Sequence, residues 1–170
     1  MAFDFKKLSI LVVEDTTPMR KLLASVLEAM EVGLIYTASD GGVGYEQVKK
    51  FNPDIVIADW HMVPVNGIEL TKEIRTNTLS PNRMVPVILI TGYSAMSRVA
   101  EARDAGVTEF LVKPFSANDL AKRIAYVINK PRDFIDAAAY FGPDRRRREN
   151  SDYKGPFRRN EDRQEDRKRG

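Results

Sequence analysis

Four short apolar runs divide this chain, and each stops on a polar residue of narrow chemical type. Leu8–Val13 stops at Glu14-Asp15, and Asp54–Ala58 stops at Asp59. Pro86–Ile90 stops at Thr91, and Phe110–Val112 stops at Lys113, with Pro114 behind it. Runs of this length and β-branched content, separated by helical patterns, read as strands buried on both faces of a parallel sheet. Such a sheet aligns its strand C-termini along one edge, where ligands bind. Three carboxylates, a hydroxyl and an ammonium are thereby brought together from distant parts of the sequence.

The intervening segments read as helices. Thr17-Pro18 reads as N-cap and first helical residue. Met19, Leu22, Leu23, Val26, Leu27 and Met30 then repeat at helical spacing, predicting a helix over about 18–31 that Gly33 ends. Leu34–Thr37 is a short second strand. Asp40 caps a second helix reaching about Phe51, with Gly41, Gly42 and Gly44 weakening its first turn by up to ~1 kcal/mol each. These glycines lack the lysine and strand context of a phosphate loop. A third helix covers Gly67–Asn77, with Ile68, Leu70 and Ile74 on one face, and a weakly apolar fourth covers 95–105, ending at Gly106. Val107–Val112 is the fifth strand. Ser116 to Asp119 opens a fifth helix with Leu120, Ile124, Val127 and Ile128 as its apolar face, closed by Pro131. Five strand-then-helix repeats predict an α/β fold, a doubly wound parallel sheet with helices on both faces.

The pattern changes near residue 131. Residues 1–130 carry 15 basic and 15 acidic side chains, whereas 131–170 carry 12 and 9, so the whole net charge of +3 sits in the tail. The division is therefore 1–130 as the globular domain and 131–170 as a basic, low-complexity tail. Asp133 to Phe141 is expected to form one short amphipathic helix, with Phe134, Ile135, Ala138 and Phe141, and the rest of the tail to be disordered. Tyr-x-Gly-Pro-x-Arg-Arg occurs twice, at Tyr140–Arg146 and Tyr153–Arg159, as two copies of a short linear motif would. The chain contains no cysteine, which excludes disulfides and thiolate chemistry. The N-terminal apolar run of six residues is too short for a signal or membrane segment, so a cytoplasmic protein without a membrane span is expected.

Glu14, Asp15 and Asp59 cannot all remain ionised at close range without a counterion. Hard oxygen ligands with open positions suit Mg²⁺, which completes its octahedron with phosphate and water. Lys113 supplies a point charge and Thr91 a hydroxyl donor for phosphoryl oxygens. Asp59, at the end of the central run, is the sensible nucleophile, because carboxylates form acyl phosphates.

With these residues in place, the chain resembles a response-regulator receiver domain of the chemotaxis-regulator type over about residues 6–130. The resemblance rests on Val13-Glu14-Asp15, Met19-Arg20, Asp59-Trp60-His61-Met62 with Gly67, Thr91-Gly92, and Phe110 to Pro114. It implies a flavodoxin-like sheet of five strands in the order 2-1-3-4-5, with five helices. It further implies that Asp59 accepts a phosphoryl group from a histidine kinase or histidine phosphotransfer protein. Asp15, Asp59 and the backbone carbonyl of His61 would hold one Mg²⁺, with Glu14 acting through water. Thr91 and Phe110 would form the switch pair, and the Lys113-Pro114 peptide would be cis. His61 and Tyr93, each two residues past a site residue, are candidates for gating hydrolysis. The chain departs from the family pattern at Val63, where proline is usual and Pro64 follows instead.

The implied activity is self-phosphorylation and autodephosphorylation, not catalysis on other molecules. Output is expected through protein contacts with a downstream target, from a monomer or a phosphorylation-linked dimer. The implied surfaces are the helix after Thr17 and the face of the fourth helix, fifth strand and fifth helix. The alternative is a constitutive adaptor whose Arg-rich tail binds a partner protein or nucleic acid, with Tyr140, Phe141, Tyr153 and Phe157 available to stack. Retention of Glu14, Asp15, Asp59, Thr91 and Lys113 together favours the phosphoacceptor.

Overall fold

The structure is a computed structural model, and it describes residues 3–92 and 97–145. A single 3₁₀ turn, Phe5–Lys7, leads into β1 (Ser9–Val13), α1 (Thr17–Ala29), β2 (Leu34–Ala38) and α2 (Gly41–Phe51). β3 (Ile55–Asp59), α3 (Gly67–Thr76), β4 (Val87–Gly92) and α4 (Val99–Ala105) follow. β5 (Glu109–Lys113) and α5 (Ala117–Asn129) complete the main body. The five strands are all parallel in the order β2-β1-β3-β4-β5, the order the resemblance implied.

Residues 10–13, 55–58 and 87–90 of the three central strands are buried, as two-sided strands must be. One core layer joins Ile10, Val12, Ile57, Ile88 and Ile90 to Leu23 and Leu27 of α1 and Leu120, Ile124 and Val127 of α5. The other joins Leu11, Val13, Val56 and Val87 to Tyr45 and Val48 of α2 and Leu70 and Ile74 of α3. Complete burial of a Leu or Ile side chain contributes about 1.5–3 kcal/mol, so these two layers fix the register at the sheet's C-terminal edge.

Several helix ends follow their sequence signals. Asp40 accepts from the N–H groups of Gly42 and Val43, as a capping aspartate should. α3 and α5 open with full capping boxes, Asn66 with Glu69 and Ser116 with Asp119. The entry to α1 differs from expectation. Its N-cap is Thr16, one residue before the predicted Thr17, and α1 ends at Ala29, not near 31. The glycines opening α2 are packing positions more than a loose start. Gly41 donates to Val65 O at 2.9 Å, and a Cβ on Gly44 would lie 3.0 Å from the Val13 side chain. α4 is shorter than the predicted 95–105, since its helix begins at Val99.

The expected helix over 133–141 is instead an antiparallel hairpin, β6 (Phe134–Ala137) and β7 (Tyr140–Pro143). Phe134 pairs with Pro143 and Ala137 with Tyr140, leaving Ala138-Ala139 as a two-residue connection. The apolar spacing that fits a helical stripe also fits two strands folded back, and Gly142-Pro143 favours the extended choice. The hairpin seats on the chain before β5. Arg132 donates to Thr108 O at 3.1 Å, and a Cβ on Gly142 would lie 3.1 Å from Gly106 Cα. Phe134 lies over Arg75 and Phe141 over Arg83, with guanidinium-to-ring distances of 5.0 and 3.9 Å. The disorder expected further along the tail, and the second motif copy at Tyr153, lie outside the described residues.

Gly142 is enclosed, since a Cβ there would lie 2.5 Å from Tyr140 Oη. Gly142→Ala should therefore lift the hairpin and cost roughly 1–3 kcal/mol in urea unfolding. An unchanged transition would show that the hairpin adds nothing to domain stability.

Candidate phosphoryl-transfer site

The register sets the site. Val13 pairs with Ala58, which places Glu14 and Asp15 beside Asp59 at the ends of adjacent strands. Asp59 pairs with Ile90, and Thr91 with Val112, so Thr91 and Lys113 follow on the next two strands. One carboxylate oxygen from each of Glu14, Asp15 and Asp59 lies within 4.8 Å of the other two. Lys113 Nζ stands 3.1 Å from Asp59 Oδ1, and Asp59 itself is largely buried. Thr91 is fully buried, with its hydroxyl donating to Gly92 O at 3.2 Å.

Glu14 is the most constrained of the acids, at 2% exposure. Its Oε1 accepts from the Thr16 N–H and hydroxyl, while its Oε2 is buried with no protein partner. Burial pushes its carboxyl above the ordinary range, the bond from the Thr16 N–H opposes that, and the Asp59 charge adds to it. Arg20 holds the same loop from below, donating to Glu14 O at 2.8 Å. An orphaned buried carboxylate oxygen beside two further acids fits a hard divalent cation with oxygen ligands.

The loop after Asp59 is fixed by close backbone contact. Gly67 donates to Trp60 O at 3.1 Å, and a Cβ there would meet Asp59 O at 2.4 Å. Both Val63-Pro64 and the expected Lys113-Pro114 peptides are cis. Trp60 is buried in a third apolar cluster with Ile68, Leu89, Ala102 and Val107, and the half-buried Phe110 packs against it. The Arg98 guanidinium lies 5.1 Å from the Trp60 ring. His61 is exposed, its ring 6.1 Å from that of Trp60. Tyr93 lies outside the described residues.

The structure thus brings together Glu14, Asp15, Asp59, Thr91 and Lys113, and it leaves Phe110 in the apolar cluster behind them. Sequence reasoning missed Thr16 and Arg98. Thr16 looks like an ordinary helix-entry residue, and nothing in the chain before α4 marks Arg98 as a partner of Trp60.

A parallel sheet in this strand order, with an acidic edge facing one lysine, defines a receiver domain. The chain belongs to the response regulator receiver domain family, whose profile matches residues 10–125. It is 31% identical over 125 residues to chemotaxis protein CheY-3 of Vibrio cholerae, covering 74% of this chain and 95% of that protein. It is 33% identical to the transcriptional regulatory protein PdtaR of Mycobacterium tuberculosis, covering 73% of this chain and 58% of that protein. Among solved structures, Vibrio cholerae chemotaxis protein CheY4 superposes with a TM-score of 0.65 at 26% identity, over 71% of this chain and 98% of that one. The protein is a two-component response regulator. Among the described residues no helix is long and apolar enough to cross a membrane.

Because three acids share one edge, Glu14→Gln is expected to raise the melting temperature of the protein in chelator-containing buffer. Removing one negative charge relieves both the burial cost and the repulsion from Asp59. A lower melting temperature would show that the Glu14 charge is compensated by the chain alone.

Proposed function

We propose that Asp59 is the phosphoacceptor, in a Mg²⁺-dependent reaction with a histidine kinase or histidine phosphotransfer protein as donor. The observation that carries this reading is the position of Asp59, buried at the end of the central strand with Lys113 Nζ at 3.1 Å and two further carboxylates beside it. In the transfer, an Asp59 carboxylate oxygen forms a bond to phosphorus as the donor's nitrogen–phosphorus bond breaks. The bonding pair leaves with the donor imidazole, which takes a proton.

Asp15, Asp59 and the backbone carbonyl of His61 would hold Mg²⁺, with Glu14 acting through water. Bound Mg²⁺ supplies charge neutralisation at the phosphoryl oxygens. Lys113 exchanges its contact with Asp59 for one with a phosphoryl oxygen, a charge-assisted bond that strengthens as charge moves onto the group. Thr91 gives up its bond to Gly92 O and donates to another phosphoryl oxygen. That movement leaves space beside β4, and Phe110 is the switch residue that responds. Autodephosphorylation by water breaks the phosphorus–oxygen bond to Asp59, releasing inorganic phosphate and restoring the carboxylate, so the chain modifies itself and acts on no other substrate. The altered surface is read by a downstream protein, in the cytoplasm.

Incubation with Mg²⁺ and a small phosphodonor should add one phosphoryl group by intact mass. Asp59→Ala should abolish the gain, and Lys113→Ala should slow it by roughly 10²-fold. A gain that survives Asp59→Ala overturns the assignment.

His61 and Tyr93 are assigned to shielding the acyl phosphate from water, a reading supported by the exposed imidazole stacked beside Trp60. His61→Asn/Tyr93→Ala is expected to lose its phosphoryl group faster than the wild type. Equal autodephosphorylation rates would remove the pair from this role.

A further inference from the structure

Thr16 occupies the place of a helix cap, and its side chain makes no capping bond to α1. A threonine there ordinarily contributes about 1 kcal/mol by accepting from a first-turn N–H. Here its hydroxyl and its own N–H both donate to Glu14 Oε1, at 3.0 and 3.1 Å. Pro18, in the first turn, already predisposes the backbone to the helix.

The two bonds discriminate between the oxygens of one carboxylate. Oε1 is committed to the chain, and Oε2 is left buried without a protein partner in a residue only 2% exposed. Glutamate has one more side-chain torsion than aspartate, and its last torsion is soft. Unanchored, Glu14 would swing between orientations and present either oxygen or neither. Both bonds also favour the ionised carboxylate that a cation needs.

We propose that Thr16 is a positioning residue for the divalent-cation site, clamping Glu14 by Oε1 so that Oε2 serves the acidic cluster. This rests on the Mg²⁺ reading given above. Thr16 touches neither the cation nor the phosphoryl group and acts through Glu14 alone. Outer partners of this kind hold a metal ligand in one orientation, and their loss weakens metal binding.

The test is a Mg²⁺ titration of the full chain, by calorimetry and by fluorescence of Trp60, the only tryptophan. Thr16→Val keeps the shape and the N–H bond and removes the hydroxyl, while Thr16→Ser keeps the hydroxyl. Thr16→Val should weaken Mg²⁺ binding roughly three- to tenfold, toward the low end of such losses, and Thr16→Ser should bind within about twofold of the wild type. Metal-free melting of Thr16→Ser should match the wild type, and that of Thr16→Val should be lower, because the hydroxyl bond to a buried carboxylate is lost. Thr16→Val binding Mg²⁺ as tightly as the wild type overturns the proposal, with or without a change in metal-free melting. So does Thr16→Ser weakening as much as Thr16→Val, which would make the effect one of packing. A wild type that fails to bind Mg²⁺ removes the cation reading itself, and the wild-type titration alone reveals that case.

Discussion

The repulsion among Glu14, Asp15 and Asp59 is the constraint to which the rest of the structure answers. With oxygens within 4.8 Å, each like-charged pair costs on the order of a few kcal/mol at the effective dielectric of a protein edge. Lys113 offsets part of that through its contact with Asp59. The remainder is sustained by the scaffold, because strand register fixes the three backbone positions and Thr16 holds the Glu14 carboxylate. Slippage of β1 against β3 by one residue would turn buried Val and Ile side chains to the opposite face. The apolar layers on both sides of the sheet thus hold in place a charge cluster that would not assemble in isolation, and the cluster stays ready for a cation.

β5 links this edge to a second polar problem at the opposite end of the sheet. Lys113 closes the strand at the acidic edge, whereas Thr108 precedes it beside the buried Arg75. Burial lowers the Arg75 pKa to about 9. Its guanidinium is satisfied by Gly106 O, Arg83 O and Val85 O, with Thr108 Oγ1 at a longer 3.4 Å. A buried cation is tolerated when its donors are bonded in this way, and the hairpin ring of Phe134 covers it. The family profile ends at residue 125, so this cover is an addition to the shared fold. It also gives the first Tyr-x-Gly-Pro-x-Arg copy a local purpose. Tyr140 donates to Pro143 O and encloses Gly142, while Arg145 lies over the Tyr140 ring and pairs with Asp104. The hairpin region therefore packs on the main body as far as Arg145, past residue 130 where the composition changes.

Most of the sheet and the convergence of the five site residues were legible in the sequence, because the buried strands are short, β-branched apolar runs set between helical patterns. Asp40 and Ser116 were equally plain, since each cap is a local bond between near neighbours, whereas Asn66 is identified as a cap only by the structure. The hairpin was not legible. Phe134, Ile135, Ala138 and Phe141 satisfy a helical stripe, and what decides against it is docking on Arg75, Arg83 and Gly106, each 36 to 59 positions in the chain from the hairpin residue it touches. Thr16 was hidden for the converse reason. The expected cap was its neighbour Thr17, and only the geometry puts Thr16 in the cap position with its hydroxyl turned to Glu14.

That inversion locates the site independently of any relative. α2, α3 and α5 open on capping side chains that do what their chemistry predicts. α1 opens on a residue equally able to cap, and that residue does not. Two residues back, Glu14 is the one described residue with a buried side-chain oxygen lacking a partner. Two local rules are thus broken within three residues, at the end of the strand that faces Asp59. Proteins depart from local consistency mainly where function demands it. A threonine withdrawn from its helix and an oxygen left unbonded are each unfavourable alone. Together they make one arrangement, a carboxylate held by one oxygen with the other left open, which is the arrangement the proposed cation site requires.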